Sequence, residues 1–493
     1  MIVMKFGGAS LASPASIRRV ASIVLSEVSR TPIVVASAIG DTTDHLLRIL
    51  EHASRAESYL AWKLQEQLRT CHFCLAEDLL GEQNLEPVDQ YIRQVFRDLH
   101  VRVLELCEGE RTLTPELRDW VASIGERLSS RILAAALQES GLPAMHMDAE
   151  KLILTDDHFT NATPLYWETY AKIRWSVPFA ARDRVVVLAG YIGATEDGRT
   201  TTLGRGGSDL TASLVGAAVN AEEIQVWKDV DGMLTWDPRK KSGGYRIKNL
   251  TYEEADELAK AGATILHPET IAPAQRLRIP LIIRNTFRPE GEGTRIGVPE
   301  ANCSSPVKSI ACKTNMAVLE LRSPTVEKSL ASYSPVLERV CREQKSATLL
   351  AMSDQAIYLA IDGNGCNPNL KFAFDQCVEV HVRTNQAIIT LVGQTLKRLN
   401  IAARLSALLA QRPVLILPQT SGSCAVRIVA PQEDLALCTE LLRRAFFAEV
   451  DSEFFAAPEL VPVAQPVALS PAAIRVSREH RTFGNAPAFR GVV

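Results

Sequence analysis

The stretch Thr200-Thr-Thr-Leu-Gly-Arg-Gly-Gly-Ser-Asp209 places three glycines and an arginine directly before a helix that we expect to begin at Ser208 or Asp209. A helix start presents unpaired backbone N–H groups and the positive end of the helix dipole, and glycines let backbone approach a ligand closely. A second glycine turn, Lys5-Phe-Gly-Gly-Ala-Ser10, follows an opening strand. Either turn alone could be a tight connection without a ligand. Together, with one lysine and one arginine, they predict an enzyme that handles phosphate.

Short β-branched runs alternate with helical patterns on both sides of these turns, from residue 1 to 298. This alternation predicts an α/β fold with a mostly parallel sheet covered by helices. Residues 51–142 are expected to form a helical excursion beside the sheet. The expected strands are Met1–Met4, Pro32–Ser37, Ala144–Asp148, Arg184–Ala189, Ile224–Lys228 and Pro280–Arg284.

Helix starts are marked by capping residues at several places in this region. Ser13 followed by Pro14 predicts the start of the first long helix, and Thr114 followed by a proline predicts another. Thr251-Tyr-Glu-Glu254 is a capping-box sequence, and Gly262 is the expected stop of that helix.

The pattern changes after residue 300, where no glycine fingerprint recurs. Two units of alternating strands and helices are expected at 305–372 and 375–448, the first more degenerate than the second. For the second unit we expect the strands Val378–Arg383 and Ile388–Leu391, the helix Gly393–Asn400, the strands Val414–Pro418 and Cys424–Val429, and the helix Gln432–Phe447, in that order. The proline- and alanine-rich tail 449–493 is expected to be disordered, with a partner-binding role as the alternative.

Length and composition limit the classes of function. A chain of 493 residues allows two to four domains. A net charge of −3 leaves no electrostatic footprint for nucleic acid, and no apolar run is long enough to span a membrane, so we expect a cytoplasmic protein. Of ten cysteines only Cys71 and Cys74 are closely spaced, which favours reduced thiols over a zinc site.

The two glycine turns and the segment Trp227-Lys-Asp-Val-Asp-Gly-Met-Leu-Thr-Trp-Asp-Pro-Arg239 together resemble the signature set of aspartate kinases, members of the amino-acid kinase family. The resemblance covers about the first 300 residues. It implies an amino-acid kinase fold at 1–298, an open, mostly parallel sheet in a three-layer αβα sandwich. Two α+β, ferredoxin-like ACT domains would follow at 305–372 and 375–448.

The implied reaction is ATP-dependent phosphorylation of the side-chain carboxylate of L-aspartate to 4-phospho-L-aspartate, the first step towards lysine, threonine and methionine. ATP is the second substrate, and Mg²⁺ is carried on the nucleotide rather than by a dedicated metal site. Because a carboxylate nucleophile is already anionic, the reaction requires charge neutralisation and alignment rather than a general base.

In this resemblance Lys5 neutralises charge on the transferred phosphoryl group, with the Gly7 and Gly8 amides near the phosphates. Asp209 orients Lys5, or is an ordinary helix-capping residue, and the two roles are compatible. Arg205 offers a planar fork to a carboxylate of aspartate.

The remaining implied substrate contacts surround the amino acid. Glu126 would bind its α-ammonium group, and the adjacent Gly125 suggests a close approach of another segment. Ser37, Thr43 and Ser208 would contact the substrate, although Thr43 and Ser208 could instead cap helices. Implied nucleotide contacts are Lys5, Gly7, Gly8, Lys228, Asp229, Leu234 and Arg239. The sequence departs from the common family pattern at Ala9, Leu234 and Thr264.

Two rival functions remain open from the sequence. Another amino-acid kinase, such as glutamate 5-kinase, would share the fold and both glycine turns. A catalytically weak sensor would bind an amino acid through its ACT-like domains. An amino-acid effector at those domains, lysine or threonine, and a homodimer are also expected from the resemblance, whereas the identity of the effector is not determined by the sequence.

Overall fold

The computed structural model describes residues 1–237, 243–263, 265–298, 306–322, 334, 337–338, 340, 347–352, 356–363, 379–397, 401–417 and 423–457. Within these ranges an eight-stranded sheet lies in the first 298 residues and a six-stranded sheet lies after residue 306. The expected nucleotide-side residues Arg239 and Thr264 fall outside the described residues, as does the chain from 458 onward.

The first sheet contains the strands that the β-branched runs predicted. The strands before residue 298 are β1 (Ile2–Phe6), β2 (Pro32–Ala36), β3 (Ala144–Met147), β4 (Val185–Ala189), β5 (Ile192–Ala194), β6 (Thr200–Thr202), β7 (Ile224–Lys228), β8 (Arg246–Ile247), β9 (Asn249–Thr251), β10 (Leu281–Asn285) and β11 (Thr294–Gly297). The predicted runs correspond to β1, β2, β3, β4, β7 and β10. The shorter strands had no clear sequence pattern and were not expected.

Helices separate these strands along the chain. They are α1 (Pro14–Ser26), α2 (Thr42–Ser54), α3 (Ser58–Leu79), α4 (Glu82–Cys107), α5 (Pro115–Glu139), α6 (Tyr166–Ala180), α7 (Gly207–Val219), α8 (Tyr252–Lys260) and α9 (Pro268–Leu277). The predicted helical excursion is present as the end of α2 together with α3, α4 and α5.

The caps form as the sequence predicted. Ser13 Oγ accepts from Ser16 N at 3.1 Å to start α1, and Thr114 accepts from the backbone of α5 in the same way. At α8 both halves of the capping box form, with Thr251 N donating to Glu254 at 2.8 Å and Glu254 N donating back at 3.2 Å. Each such cap stabilises a helix start by about 1 kcal/mol.

The eight-stranded sheet is covered by helices on both faces. Its order is β3-β4-β2-β1-β7-β10-β11-β9, and it is parallel from β3 to β10, with β11 antiparallel to β10. Neighbouring residues of one strand point into different cores: Val3 packs in the core with α6 to α9, whereas Ile2 and Met4 pack in the core with α1 to α5. This alternation confirms the three-layer αβα sandwich.

A second, antiparallel sheet follows in the order β13-β14-β12-β15-β17-β16. Its strands are β12 (Ser309–Arg322), β13 (Thr348–Met352), β14 (Ala356–Asp362), β15 (Glu379–Val392), β16 (Leu415–Ile416) and β17 (Ala425–Pro431). The helices α10 (Ile401–Leu408) and α11 (Leu435–Phe446) and the short strand β18 (Phe455–Ala456) complete the described part. The central strands β12 and β15 pair with each other, so one sheet runs through both expected modules.

The expected break between strands 378–383 and 388–391 is wrong, because β15 is one continuous strand. The segment Thr384-Asn-Gln386 has turn-like composition, and Asn385 does adopt a positive φ of 54°. Asn315 on β12 has the same feature, φ 55°, and the β12–β15 register shifts there. The two irregularities face each other as a bulge, so pairing continues past them.

Two helices of this region also differ from expectation. Where a helix was expected at 393–400, Gln394–Lys397 form a 3₁₀ turn, residues 398–400 lie outside the described residues, and α10 covers Ile401–Leu408. The helix expected from Gln432 begins as a 3₁₀ turn, and α11 starts at Leu435. Because the first turn of a helix is often tightened in this way, sequence patterns place helix starts poorly.

The beginning of the expected disordered tail is packed. Phe454 and Phe455 are buried in the core that contains residues of α7 to α9, and β18 pairs with β8. These aromatic residues precede the proline-rich part of the tail, which explains why a composition averaged from 449 onward misjudged them.

The two sheets are joined by a buried polar junction. Glu254 at the start of α8 is fully buried, and Lys308 Nζ lies 2.9 Å from its Oε2. Gln394 N donates to the other oxygen of Glu254 at 2.9 Å. Apolar residues of β15, β17 and α11 also share one core with α7 to α9. The domain limits 1–298, 305–372 and 375–448 stay a prediction.

Candidate active site

A loop in which Gly204 and Gly206 flank Arg205 leads into α7. α7 begins at Gly207, one residue earlier than expected, because Gly206 adopts a left-handed φ of 79° and serves as the N-cap. Ser208 and Asp209 therefore lie in the first turn, and neither is the cap. A Cβ on Gly206 would lie 2.5 Å from His267 Cβ, so this glycine is also required by packing.

Asp209 is the centre of a buried charge cluster with two lysines. Lys5 at the end of β1 places Nζ 2.6 Å from Asp209 Oδ1, and Lys228 at the end of the neighbouring β7 places Nζ 2.9 Å from Oδ2. Lys228 Nζ also donates to the carbonyl of Ile265. Lys5 is only 5% exposed and Asp209 4%. The cluster thus has one positive charge in excess beside an open cleft.

Burial and charge shift the pKa values within this cluster in a consistent way. Burial alone would raise the pKa of Asp209, but Lys228 and Lys5 outweigh it and hold that pKa at about 2. Burial lowers the pKa of Lys5, and Asp209 offsets part of that effect. Asp209 is therefore a permanent carboxylate that fixes the positions of both ammonium groups.

Two glycines hold the segment 37–43 close to the cleft. A Cβ on Gly8 would lie 2.9 Å from the Ala38 carbonyl oxygen, and a Cβ on Gly125 of α5 would lie 2.7 Å from Ala38 Cβ. The close approach expected at Gly125 is therefore present. It lets Ser37 and Thr43 face the cleft between β1 and α5.

Glu126 follows Gly125 and is 4% exposed. Burial raises its pKa to about 8, although Lys5 acts in the opposite direction. Its Oε2 is buried and has no hydrogen-bond partner among the described residues. An unsatisfied carboxyl oxygen at the wall of a cleft favours a bound cationic group.

The cleft has a volume of about 1180 Å³. Of the sequence-predicted residues it brings together the following: Lys5, Ser37, Thr43, Glu126, Arg205, Ser208, Asp209 and Lys228. Four others lie outside its wall. Gly7 and Gly8 form the turn after β1, Asp229 is exposed just after β7, and Leu234 pairs with Arg246.

Sequence reasoning missed several residues of the wall. Asp119 on α5 is 1% exposed and accepts from Thr160 N at 2.8 Å, from Thr202 N at 2.9 Å and from Thr202 Oγ1 at 2.7 Å. It therefore ties the loop at 160 to the strand that leads into Arg205. Asp119 lies seven positions before Glu126 on the same helix, so its position on the same face was the available signal.

Tyr191, His267 and Lys313 also line the cleft. Lys313 belongs to β12 of the second sheet, and no local pattern connects it to the glycine turns. Its place in the wall depends on how the two sheets pack together.

The charges of the wall suit two ligands of different kinds. Arg205 is exposed and makes no ion pair within the described ranges, so its guanidinium is available for a carboxylate. Glu126 is available for an ammonium group. The surplus cation at Lys5 and Lys228 suits a polyanion such as a triphosphate. The cleft can thus hold a small zwitterion next to a nucleotide.

Two further observations bear on metals and membranes. Within the described ranges, no three His, Cys, Asp or Glu side chains are grouped where they could hold a metal ion together. Cys71 and Cys74 on α3 are half-buried free thiols, and burial raises the pKa of both. None of the described helices combines the length and apolar character needed to cross a membrane.

Comparisons with known proteins extend over almost the whole chain. The model of the amino acid kinase family matches residues 1–285. The chloroplastic aspartokinase 1 of Arabidopsis thaliana is 32% identical over 476 residues, which cover 93% of this chain and 82% of that protein. The crystal structure of Escherichia coli aspartokinase III with aspartate and ADP, an R-state, has a TM-score of 0.78 at 27% identity and covers 91% of this chain and 100% of that one.

The same E. coli enzyme in complex with lysine and aspartate, a T-state, has a TM-score of 0.73 at 27% identity and covers 91% of this chain and 99% of that one. These similarities include the second sheet as well as the first. They are therefore similarities of the whole architecture and not of the glycine turns alone.

Proposed function

This chain belongs to the amino acid kinase family and, within it, to the aspartokinases, and we propose that it phosphorylates L-aspartate in the cleft around Lys5, Asp209 and Lys228. ATP and the side-chain carboxylate of aspartate give ADP and 4-phospho-L-aspartate. The observation that carries this assignment of the site is the pair of lysines held by one buried carboxylate at the ends of β1 and β7. Ligands of open α/β sheets bind at this edge.

The two lysines stabilise the negative charge of the phosphoryl group during transfer. Asp209 fixes both ammonium groups before any ligand arrives, so no reorganisation is required when charge develops. Lys5 acts on the transferred group, and Lys228 acts on the leaving nucleotide. Mg²⁺ enters with ATP, and when bound it neutralises part of the phosphate charge. No residue of this chain is assigned as a metal ligand.

The charged groups of aspartate are bound by side chains of opposite charge. Its α-ammonium group meets the unpaired Oε2 of Glu126, and Arg205 forms a fork around a carboxylate. Hydroxyls of Ser37, Thr43 and Ser208 contact the substrate from the same wall. The side-chain carboxylate then faces Lys5 and attacks phosphorus without a general base.

The remaining nucleotide contacts are assigned to residues that follow β7. Asp229 and Leu234 follow β7 beyond the wall of the cleft, where they can contact the ribose or base of a nucleotide whose phosphates lie at Lys228. Arg239 is assigned to the same side on the sequence pattern alone. Gly7 and Gly8 serve the turn after β1 and the approach of the segment 37–43.

Regulation by an amino acid is proposed for the second sheet. The T-state complex of the E. coli relative contains lysine, and the similarity covers 99% of that chain. Lysine is thus the first effector to titrate, followed by threonine and then both together. A homodimer is proposed with it, and light scattering of the purified protein tests that state.

Incubation of the purified protein with ATP, Mg²⁺ and a single amino acid in hydroxylamine tests the reaction, because hydroxylamine traps acyl phosphates. We expect hydroxamate from aspartate and none from glutamate. Turnover of glutamate alone would support glutamate 5-kinase activity instead. Thermal shifts with amino acids but no consumption of ATP would support the sensor.

A further inference from the structure

The second sheet places a lysine in the wall of the catalytic cleft. Lys313 lies on β12, and its side chain passes over Gly262, two positions after the end of α8. A Cβ on Gly262 would lie 3.1 Å from Lys313 Cγ and 3.4 Å from Cε, so the lysine stem runs along this glycine. Gly262 has a φ of 95°, which a larger residue would adopt only with strain. Because residue 262 is a glycine, the Lys313 stem can pack directly against its backbone.

Within the described ranges Lys313 makes no ion pair, and its side chain is half-buried. Another cation, Arg427, acts on Lys313 electrostatically and is itself paired with Glu257 of α8. Burial and Arg427 together lower the pKa of Lys313. A half-buried, unpaired cation at the wall of a cleft favours an anionic ligand.

The position of Lys313 distinguishes between the two anions that the cleft receives. Gly262 lies under the Lys313 stem, and the Ile265 carbonyl, three positions further along the chain, accepts from Lys228 Nζ. Lys228 is the lysine on the nucleotide side of Asp209. Glu126, which would bind the amino acid, lies on α5, and among the described residues its side chain makes no hydrogen bond or ion pair with Gly262 or Ile265. The polyphosphate of the nucleotide is therefore the better match.

We propose that Lys313 is a phosphate-binding residue that the antiparallel sheet contributes to the nucleotide side of the cleft. This inference rests on the proposed function, because it assumes that a nucleotide occupies the cleft. Nucleotide binding and the position of the second sheet are then thermodynamically linked, since the ligand contacts both sheets at once.

The test compares three variants by calorimetric binding of MgADP and by steady-state kinetics of the full chain. Lys313→Met keeps the aliphatic stem on Gly262 and removes only the charge. We expect it to raise the Kd of MgADP and the KM of ATP about tenfold, with kcat and the KM of aspartate changed less than about twofold. Lys313→Arg keeps the charge and should stay within about threefold of the unsubstituted protein.

Lys151→Met is the matched control, because it removes one positive charge from a lysine that is exposed and lies outside the cleft. It should leave the Kd of MgADP unchanged. A Lys313→Met protein that melts normally and binds MgADP like the unsubstituted chain overturns the inference, and so does a loss confined to aspartate. If the unsubstituted chain itself binds no MgADP, the proposed function fails, which is a distinguishable result.

Discussion

Asp209 in the cleft and Glu254 at the junction of the two sheets are both buried carboxylates paired with lysine, yet their surroundings differ. Asp209 holds two lysines and leaves one positive charge in excess next to open space. Glu254 holds one lysine, Lys308, and its oxygens also accept from two backbone N–H groups, so charge and hydrogen bonds are balanced. Surplus charge at a cleft serves a ligand, whereas balanced charge in an enclosed site serves the packing of the fold.

The first prediction removes from the Asp209 cluster the lysine that acts on the transferred phosphoryl group, and it should change activity most. Lys5→Met should lower kcat by about 10³-fold, because one preorganised cation is lost from the transferred phosphoryl group. Its melting temperature should change little, since Lys228 still neutralises Asp209. The hydroxamate assay and a thermal melt measure the two quantities. A large drop in melting temperature with normal turnover would assign Lys5 a purely structural role.

The second prediction concerns the Glu254 site, where loss of the lysine should lower stability and leave activity almost unchanged. Lys308→Met leaves a buried carboxylate without its cation and should lower the free energy of unfolding by about 3 kcal/mol. The kcat of the folded protein should stay within about twofold, because Lys308 does not line the cleft. Chemical denaturation and initial rates at 25 °C measure these effects.

Arg444→Met is the control for the junction. It also removes one cation from an ion pair, but Arg444 is 77% exposed in its pair with Glu440. The expected loss of stability is below about 1 kcal/mol. Equal losses in Lys308→Met and Arg444→Met would contradict the importance of the buried junction.

The third prediction concerns Glu126, whose carboxyl group makes no ion pair among the described residues. Burial raises the pKa of Glu126 to about 8, so the group is protonated at pH 6 in the free enzyme. Binding an α-ammonium group favours the carboxylate and must release that proton below pH 8. The KM of aspartate should therefore fall about tenfold per pH unit from pH 6 towards 8 and then level off.

Glu126→Gln separates this titration from that of other groups, such as Lys5. Its KM for aspartate should be raised at pH 8 and nearly independent of pH. Calorimetry of the unsubstituted protein at pH 7 in two buffers of different ionisation enthalpy should show proton release on aspartate binding. Proton uptake, or a slope that persists in Glu126→Gln, would refute this role of Glu126.

The last and smallest change concerns a fourth buried carboxylate, Asp119, which makes hydrogen bonds but, among the described residues, no ion pair. Asp119→Ala frees the strand before Arg205 and should raise the KM of aspartate about tenfold. Asp119→Asn keeps an oxygen for the two backbone donors, and its amide can donate to Thr202 Oγ1, so it should restore KM to within about threefold. Failure of Asn to rescue would indicate that the charge of Asp119, and not its positioning, matters.

Local patterns predicted the elements whose signals are contained in a few neighbouring residues. Five of the six predicted strands of the parallel sheet contain β-branched residues, whereas β3 (Ala144–Met147) contains none, and the starts of α1, α5 and α8 have capping residues that bond within one turn. Lys5 lies near the end of β1 and Asp209 in the first turn of α7, and the resemblance to the aspartate kinase motifs, rather than a local pattern, predicted them in one site. The continuity of β15 was not predictable in this way, because only pairing with β12 shows that Asn385 is a bulge and not a turn.

The α/β class, the parallel sheet and the two glycine turns could be read from the sequence, because they depend on interactions within one element or between adjacent strands. Five charged residues of the cleft, Lys5, Glu126, Arg205, Asp209 and Lys228, were predicted through the family resemblance. The tertiary structure alone decided that Asp209 is shared by two lysines, that Asp119 ties two loops together, and that Lys313 of the second sheet reaches the cleft. These contacts join residues that are far apart in the chain, and their geometry is set by how the layers pack.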